Sequence, residues 1–473
     1  MNSLVKFHSW TIARWPIGAI GRMVGLAALV FFLASSVRHG LFQSGAFDLG
    51  YFDQAIYLIS RGELPIVSFW GYHFLGGHAD WMVYPLAGLY WLYADVHWLF
   101  AVQAIALALG AIPAYHLALQ AGVKPPQATA LAAAYLLYPL VFNLTLFDFH
   151  PEVMALPLML TAIWAARADR VGWFTFCTVL ALGCRDGLSL TIAAMGIWLF
   201  FWERKRLCGA IALLSGVIWF LVAVKWLIPI FRPEGVEATL RYAYLGDSVL
   251  EIAQNLFLRP DLILGRVFSL PTLEYLVLLL APLLWGLHPR HLTPLVAAVP
   301  MLVVNILSES PTQRNLVHQY SLPILPFLLL AVISAVAAHN AWVRQPRRIV
   351  LWATVAFLLL GKYGHFGSLY LESLDTWGAT RQAIAQITTD ESVLTTHAIV
   401  PHLTHRPQIR FTLADTPFDL QQFKYVLLDT RHPGWRSTPD YAQGLVKQLQ
   451  GDRRFQLQLQ RDGVFLFVQQ SGL

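Results

Sequence analysis

Long apolar runs, separated by short polar or proline-rich links, recur along the first three-quarters of the chain. Runs of about 17–22 residues match the ~20 that a helix needs to cross the hydrocarbon core of a bilayer. In order they predict eleven spans, near residues 18–37, 97–119, 127–143, 151–167, 171–184, 187–202, 209–230, 271–287, 292–307, 320–338 and 348–364. The loop 38–80 follows the first span, and Phe52 to Arg61 within it has the pattern of a short amphipathic helix on the membrane surface. Residues 81–93 are apolar but too short to cross, which predicts a re-entrant or interfacial segment. Lys124-Pro125-Pro126 breaks the pattern, and Pro271, Pro294, Pro323 and Pro326 suit helix first turns and kinks. A second long polar loop, 232–269, has room for one or two surface helices.

Beyond residue 365 the pattern changes. Charged and polar residues return, and Tyr425-Val426-Leu427-Leu428 reads as a strand. Phe455 to Gln460 and Val464 to Val468 flank Arg461-Asp462-Gly463, a hairpin turn signal. The expected fold is therefore mainly α: a polytopic helical membrane domain over 1–365 and a small soluble α/β domain over 366–473.

Composition agrees. The 473 residues are 57% hydrophobic and 13% charged, about half the charge of a soluble domain, and mean hydropathy is +0.54. The 17 Trp and 17 Tyr suit the bilayer interface. The net charge of +6 sits in short clusters between apolar runs, which is an orientation signal and not a nucleic-acid surface. Cys177, Cys184 and Cys208 lie in or beside apolar runs, so no disulfide framework is expected. No small-residue cleavage site follows the first run, which is read as a retained span.

With the N-terminus inside and alternating spans, the inside loops carry Lys124, Arg167, Arg170, Arg204-Lys205-Arg206, Arg290, Arg344, Arg347 and Arg348. The short outside loops carry little beyond Arg185 and Arg314. This places the C-terminal domain outside, and with it Asp48, Asp53, Asp80, Asp148, Glu152 and Asp186.

Each candidate group has a structural account beside a chemical one. Asp48 and Asp53 are carboxylates at a membrane surface, able to deprotonate an acceptor hydroxyl or bind a divalent metal such as Mg or Mn. As a solvated loop, the same stretch would use Asp48 to cap the surface helix. His73, His78 and Asp80 lie on the far side of that loop. Asp148, His150 and Glu152 alternate, so an extended segment would turn all three to one side as metal ligands or site residues. Pro151 equally makes them the cap of the fourth span. Arg185-Asp186 is either a turn ion pair or part of a site. Lys225, Arg232, Arg241, Arg314, His318 and Lys362 form a basic group able to clamp a lipid phosphate, although Lys225 alone reads as a snorkelling side chain. His397, His402, His405 and His432 have irregular spacing and no Cys partner, which argues against zinc. No glycine-rich phosphate loop, P-loop or nucleophile elbow is present.

Phe47-Asp48-Leu49-Gly50-Tyr51-Phe52-Asp53-Gln54, His78, Phe149-His150-Pro151-Glu152 and Arg185-Asp186-Gly187 resemble polytopic bacterial membrane proteins of domain-of-unknown-function family 2079. Val400-Pro401-His402-Leu403-Thr404-His405-Arg406 and Tyr425-Val426-Leu427-Leu428-Asp429 extend the resemblance nearly to the end of the chain. The layout is similar to the C-type glycosyltransferases, which include protein mannosyltransferases, the aminoarabinose transferase of lipid A and oligosaccharyltransferases. Those enzymes use polyprenyl-phosphate sugars and keep a catalytic acid in the first outer loop. By position Asp48 matches it, with Asp53 second. Several of those enzymes have an adjacent acidic pair, whereas Leu49 to Phe52 separate the two carboxylates here. The resemblance implies a cell-envelope glycosyltransferase in the cytoplasmic (inner) membrane, its C-terminal domain extracytoplasmic. Its acceptor would be a lipid, glycan or protein. Asp148, His150, Glu152, Asp186, His78 and Asp80 would orient the acceptor or a metal. The other classes compatible with the residues are a transporter or flippase for a lipid-linked or polar solute, and a non-catalytic scaffold. Carboxylates gathered at one surface, without a clear internal repeat, favour the enzyme.

Overall fold

The computed structural model describes residues 18–235, 237–416 and 418–470; the basic N-terminal segment ahead of the first span lies outside them. Helices occupy all eleven segments expected to span. Among the described residues, Ala19–Gly40, His97–Gln120, Arg206–Phe231 and Gln319–Ala337 are long and apolar enough to cross alone. Three more are pairs bent at a break: Pro125–Leu136 with Pro139–Leu146, Pro260–Val267 with Leu270–Leu280, and Pro346–Leu360 with Lys362–Leu371. Glu152–Arg167, Val171–Leu182, Leu188–Phe201 and Thr293–Leu307 are shorter. Proline explains several starts. Pro125, Pro139, Pro260, Pro271 and Pro346 each sit in a first turn, where a missing N–H costs nothing.

Gln319–Ala337 forms the centre of the bundle, 83% of its apolar window being buried, against 17% for the peripheral Ala19–Gly40. Leu188–Phe201 and Arg206–Val222 pack backbone to backbone: a Cβ on Gly196 would lie 2.4 Å from the Leu213 nitrogen. Small residues permit this approach where lipid supplies no hydrophobic drive between helices. The loop 232–269 contains two helices, Val249–Leu258 and Pro260–Val267, with Leu250, Phe257, Leu264 and Phe268 exposed.

Strands β1 (Ile66–Val67) and β2 (Tyr72–His73) form a small hairpin in the first loop. The C-terminal domain holds β3 (Val393–Thr395), β4 (Ile409–Phe411), β5 (Tyr425–Asp429), β6 (Phe455–Arg461) and β7 (Val464–Gln469). Their order is β4-β3-β5-β7-β6, parallel for β4-β3-β5 and antiparallel onward. Asp462 and Gly463, both left-handed, make the β6–β7 turn at the expected place. Alternation along the strands divides the domain into two cores. Val393, Leu427 and Leu466 pack with Ala379 and Ala383 of Leu374–Ala385. Leu394, Val426 and Leu428 pack with Leu445 and Leu449 of Pro439–Gly451.

The first of these cores also takes in Ala46, Phe47 and Phe69 of the first loop. The domain is therefore docked on that loop. This changes the status of the helix expected over Phe52 to Arg61. Observed at Tyr51–Ser60, it buries Asp53 and Gln54 along with its apolar residues. Gln54 Nε2 donates to the Arg406 carbonyl at 3.0 Å. The polar residues that read as a solvent face hold the C-terminal domain, so the helix is clamped between the bundle and that domain.

Candidate active site

The first span ends in Arg38 and His39, and a left-handed Phe42 (φ 58°) turns the chain out of it. A single π-helical turn, Ala46–Gly50, then carries Asp48 into Tyr51–Ser60. Such turns recur at functional sites. The facing loop, after Leu144–Leu146, carries Asp148 and His150 into Glu152–Arg167. Residues 148, 150 and 152 do not share a side, because Pro151 already has helical φ and ψ and swings Glu152 away. Each reaches a different partner.

Asp148 anchors the loop. Its Oδ1 pairs with Arg38 Nη1 at 2.5 Å, and its Oδ2 accepts from the Gly45 N–H at 2.8 Å. Both side chains of the ion pair are buried. His150 turns the other way, its Nε2 lying 3.2 Å from Asp48 Oδ1. The His150 Nδ1–H donates to the Asp148 carbonyl at 2.9 Å, and Phe147 stacks on the ring with centroids 5.0 Å apart. With Nδ1 committed, a neutral ring would aim the Nε2 lone pair at a carboxylate. Protonation removes that repulsion. Burial pushes His150 down, but the hydrogen bond and charge of Asp48 overcome it and hold the imidazole above its usual range. Burial likewise pushes the Asp48 carboxyl up, and His150, then His318 and His397, outweigh it and leave it below the usual carboxylate range.

Asp53 lies elsewhere in the fold. Tyr90 and Thr404 both donate to it, and His405 Nε2 is 3.2 Å away. His405 stacks on Tyr57 with centroids 4.8 Å apart. Burial raises the Asp53 carboxyl and His405, Thr404 and Tyr90 lower it further. The result is a closed knot joining the Tyr51–Ser60 helix, Val83–Leu92 and the C-terminal domain.

A third group adjoins the first. Arg185 Nη1 pairs with Glu152 Oε1 at 2.9 Å, and its Nη2 donates to His78 Nε2. His78 Nδ1 donates to Asp186 Oδ1 at 2.8 Å. That pattern needs the neutral imidazole, in keeping with burial and the Arg185 charge pushing His78 down. Asp80 is fully buried, and neither carboxylate oxygen has a hydrogen-bond partner among the described residues; Glu152 Oε2 is in the same position.

The basic candidates are dispersed. Arg241 lies 5.2 Å from the Tyr320 ring centroid; Tyr320 is 6.4 Å from the His318 ring, which packs edge-on against Phe147 at 4.5 Å. Arg232 holds Tyr72 of β2 through a contact 5.1 Å above the ring. Arg314 Nη1 donates to the Ile306 carbonyl at 3.2 Å and lines a cavity of about 420 Å³ with Tyr244, Asp261 and Arg266. Lys225 and Lys362 are exposed. Among the described residues, no three His, Cys, Asp or Glu side chains converge to hold a metal ion. The nearest imidazole to Asp48 is that of His150, its Nε2 at 3.2 Å. The C-terminal histidines likewise diverge: His402 stacks on His39, His432 pairs with Asp375, and His397 packs on Phe47.

Sequence reasoning did not single out Arg38, Thr404, His405 as the Asp53 partner, or Tyr90. An arginine closing an apolar span was the visible signal for Arg38. Thr404 and His405 join the site only through docking of the C-terminal domain, and Tyr90 through packing of Val83–Leu92 on Tyr51–Ser60.

The carboxylates differ in access. The Asp48 side chain is 33% exposed, whereas those of Asp53, Asp148, Glu152 and Asp186 are at 1%, 2%, 6% and 12%. Asp48 is the most exposed of these five.

The model of a family described as "Predicted membrane protein (DUF2079)" matches residues 38–466. Two solved structures share the fold over nearly all of the chain. ArnT from Cupriavidus metallidurans bound to undecaprenyl phosphate superposes with a TM-score of 0.53 at 15% identity, covering 96% of this chain and 99% of that one. The apo state of ArnT gives 0.52 at 14%, covering 95% and 97%. No curated protein matches the sequence. At these identities the likeness carries the fold alone, the one that ArnT has.

Proposed function

The chain belongs to the DUF2079 family of predicted membrane proteins, and we propose that it is a glycosyltransferase that moves a sugar from a polyprenyl-phosphate donor to an acceptor hydroxyl. The reaction would take place at the outer face of a bacterial cytoplasmic membrane, with the C-terminal domain on that side. One observation carries the reading: Asp48, in the first loop, is the accessible carboxylate of the group and is held ionised by His150.

The acceptor hydroxyl hydrogen-bonds to Asp48 and attacks the anomeric carbon on the face opposite the phosphate. The new C–O bond forms as the sugar–phosphate bond breaks, the electron pair leaves with the polyprenyl phosphate, and the hydroxyl proton passes to Asp48. Configuration inverts. A carboxylate of lowered basicity serves because glycosyl transfer passes through an oxocarbenium-like state; the oxygen becomes acidic as the bond forms, so the proton moves late. The leaving phosphate needs no proton but gathers charge, which fixed cations stabilise. Arg241, beside His318, is the best placed for this role, and Arg314 in its cavity is the second. Lys225, Arg232 and Lys362 would act nearer the lipid. Asp148 and Arg38 position the Asp48 loop, Asp53 fixes the C-terminal domain over it, and His78, Asp80, Glu152 and Asp186 form the buried wall behind His150. A divalent cation such as Mg or Mn, if bound, would be held by Asp48 and would share the charge of the leaving phosphate. The undecaprenyl phosphate bound by ArnT supports a polyprenyl phosphate as the leaving product. The test is transfer from a radiolabelled polyprenyl-phosphate sugar in proteoliposomes. Solute flux without turnover would instead make the protein a transporter.

A further inference from the structure

Phe47 immediately precedes Asp48 and is the hub of a ring cluster drawn from both domains. Trp70 of the first loop lies 5.1 Å from it, between centroids, at 45°. Trp435 of the C-terminal domain lies 4.7 Å from it at 89°, and His397 5.6 Å at 54°. Phe411 forms the floor at 5.0 Å. Trp435 nevertheless stays 46% exposed. Its position is set by the backbone on either side: Gly434 and Arg436 are both left-handed, at φ +81° and +53°. A Cβ on Gly434 would stand 2.9 Å from His397 Cβ, so the turn is drawn tight over the histidine. A non-glycine residue at positive φ is uncommon and marks a conformation that its surroundings enforce. Here the outcome is an indole held open to water above the Asp48 loop. The Arg436 guanidinium lies over the indole, 5.0 Å from its centroid, and pairs with Asp415.

An indole that carries a guanidinium over its ring, with that cation's carboxylate partner beside it, and that still stays half-exposed, complements a pyranose. The ring's C–H face stacks on an aromatic surface, and its equatorial hydroxyls seek donors and acceptors around the rim. A lipid headgroup fits less well, because the indole belongs to the soluble domain and its charged neighbours form a neutral pair. His397 ties the platform to the Asp48 loop by packing on Phe47, the residue before Asp48.

We propose that Phe47, Trp70 and Trp435, with His397 and the Arg436–Asp415 pair, form an acceptor platform, and that the acceptor is a glycan whose pyranose ring stacks there with a hydroxyl directed to Asp48. The inference rests on Asp48 being the base of a glycosyl transfer. Saturation-transfer NMR on the full chain in nanodiscs, with maltohexaose and chitotetraose as probes, tests it. The wild type should transfer saturation to ring C–H protons of at least one probe. Trp435→Ala and Trp70→Ala should weaken that binding about tenfold, the size of one lost stacking contact, while Trp435→Phe should keep most of it. Absence of signal for both probes, or affinities unchanged in both alanine variants, overturns the platform. Trp-dependent binding in a protein that transfers no sugar upholds the platform and removes the transferase reading instead.

Discussion

Asp48 and His150 face each other across 3.2 Å, and the far nitrogen of that imidazole is pinned to the Asp148 carbonyl at 2.9 Å. Two loops far apart in the chain thus meet as an ion pair, and the pairing leaves the outer edge of the carboxylate free. The pair sets the pH behaviour of the site.

Asp48 is held below its ordinary value and His150 above its own. A depressed carboxylate contributes stability that is present above its unfolded pKa and is lost as pH falls through the folded one. A raised imidazole contributes stability that is present below its unfolded pKa and is lost as pH rises through the folded one. With ordinary values of 3.8 for the carboxyl and 6.5 for the imidazole, the pair contributes fully between about pH 4 and 6.5. Melting temperatures of the wild type should decline above that window and those of His150→Gln should not. Parallel profiles for the two proteins would contradict the pairing.

Arg38 and Asp148 are both buried and depend on each other. Arg38→Met should destabilise by about 3–5 kcal/mol, because it strands a buried carboxylate. The double variant Arg38→Met with Asp148→Leu should recover part of that loss, as removing both charges removes the unpaired one. Thermal unfolding of the single and double variants measures the coupling.

Asp80 behaves in the opposite sense. Burial first, then the charges of Glu152 and Asp186, push its carboxyl well up, with Arg185 opposing them. A raised carboxyl favours folding while protonated, and stability falls as pH rises above the unfolded value near 4. Asn mimics the protonated acid, so Asp80→Asn should raise the melting temperature at pH 8 and change it little at pH 4. A lower melting temperature at pH 8 would show that the carboxylate is needed in its ionised form.

The Asp53 knot should govern docking of the C-terminal domain. Thr404→Val removes one donor to a buried carboxylate, a cost of about 1–3 kcal/mol. Backbone amides of residues 400–406 and of Tyr51–Ser60 should then exchange faster together, read by hydrogen–deuterium exchange. Faster exchange confined to one of the two segments would contradict a shared knot.

The spans were legible because lipid imposes length and apolarity residue by residue, and proline and glycine mark where they break. The Asp462-Gly463 turn was legible for a similarly local reason. The roles of the acidic residues were not. Asp148, His150 and Glu152 alternate in sequence, yet the helical start at Pro151 sends them to Arg38, Asp48 and Arg185. Asp53 and Gln54 look like a solvent-facing pair and are buried beneath Thr404 and Arg406. Those partners lie some 350 residues on, a distance over which no periodicity carries information. Access, which separates Asp48 from the other carboxylates, is a property of the assembled fold.

The central claim is that Asp48 accepts the proton of an acceptor hydroxyl during sugar transfer. The most direct test compares wild type and Asp48→Asn at equal yield in proteoliposomes, with radiolabelled polyprenyl-phosphate sugar and a membrane lipid and glycan extract. Transfer by the wild type that falls by at least about a hundredfold in the variant, with donor binding retained, is the predicted result. Equal transfer by both proteins would contradict it.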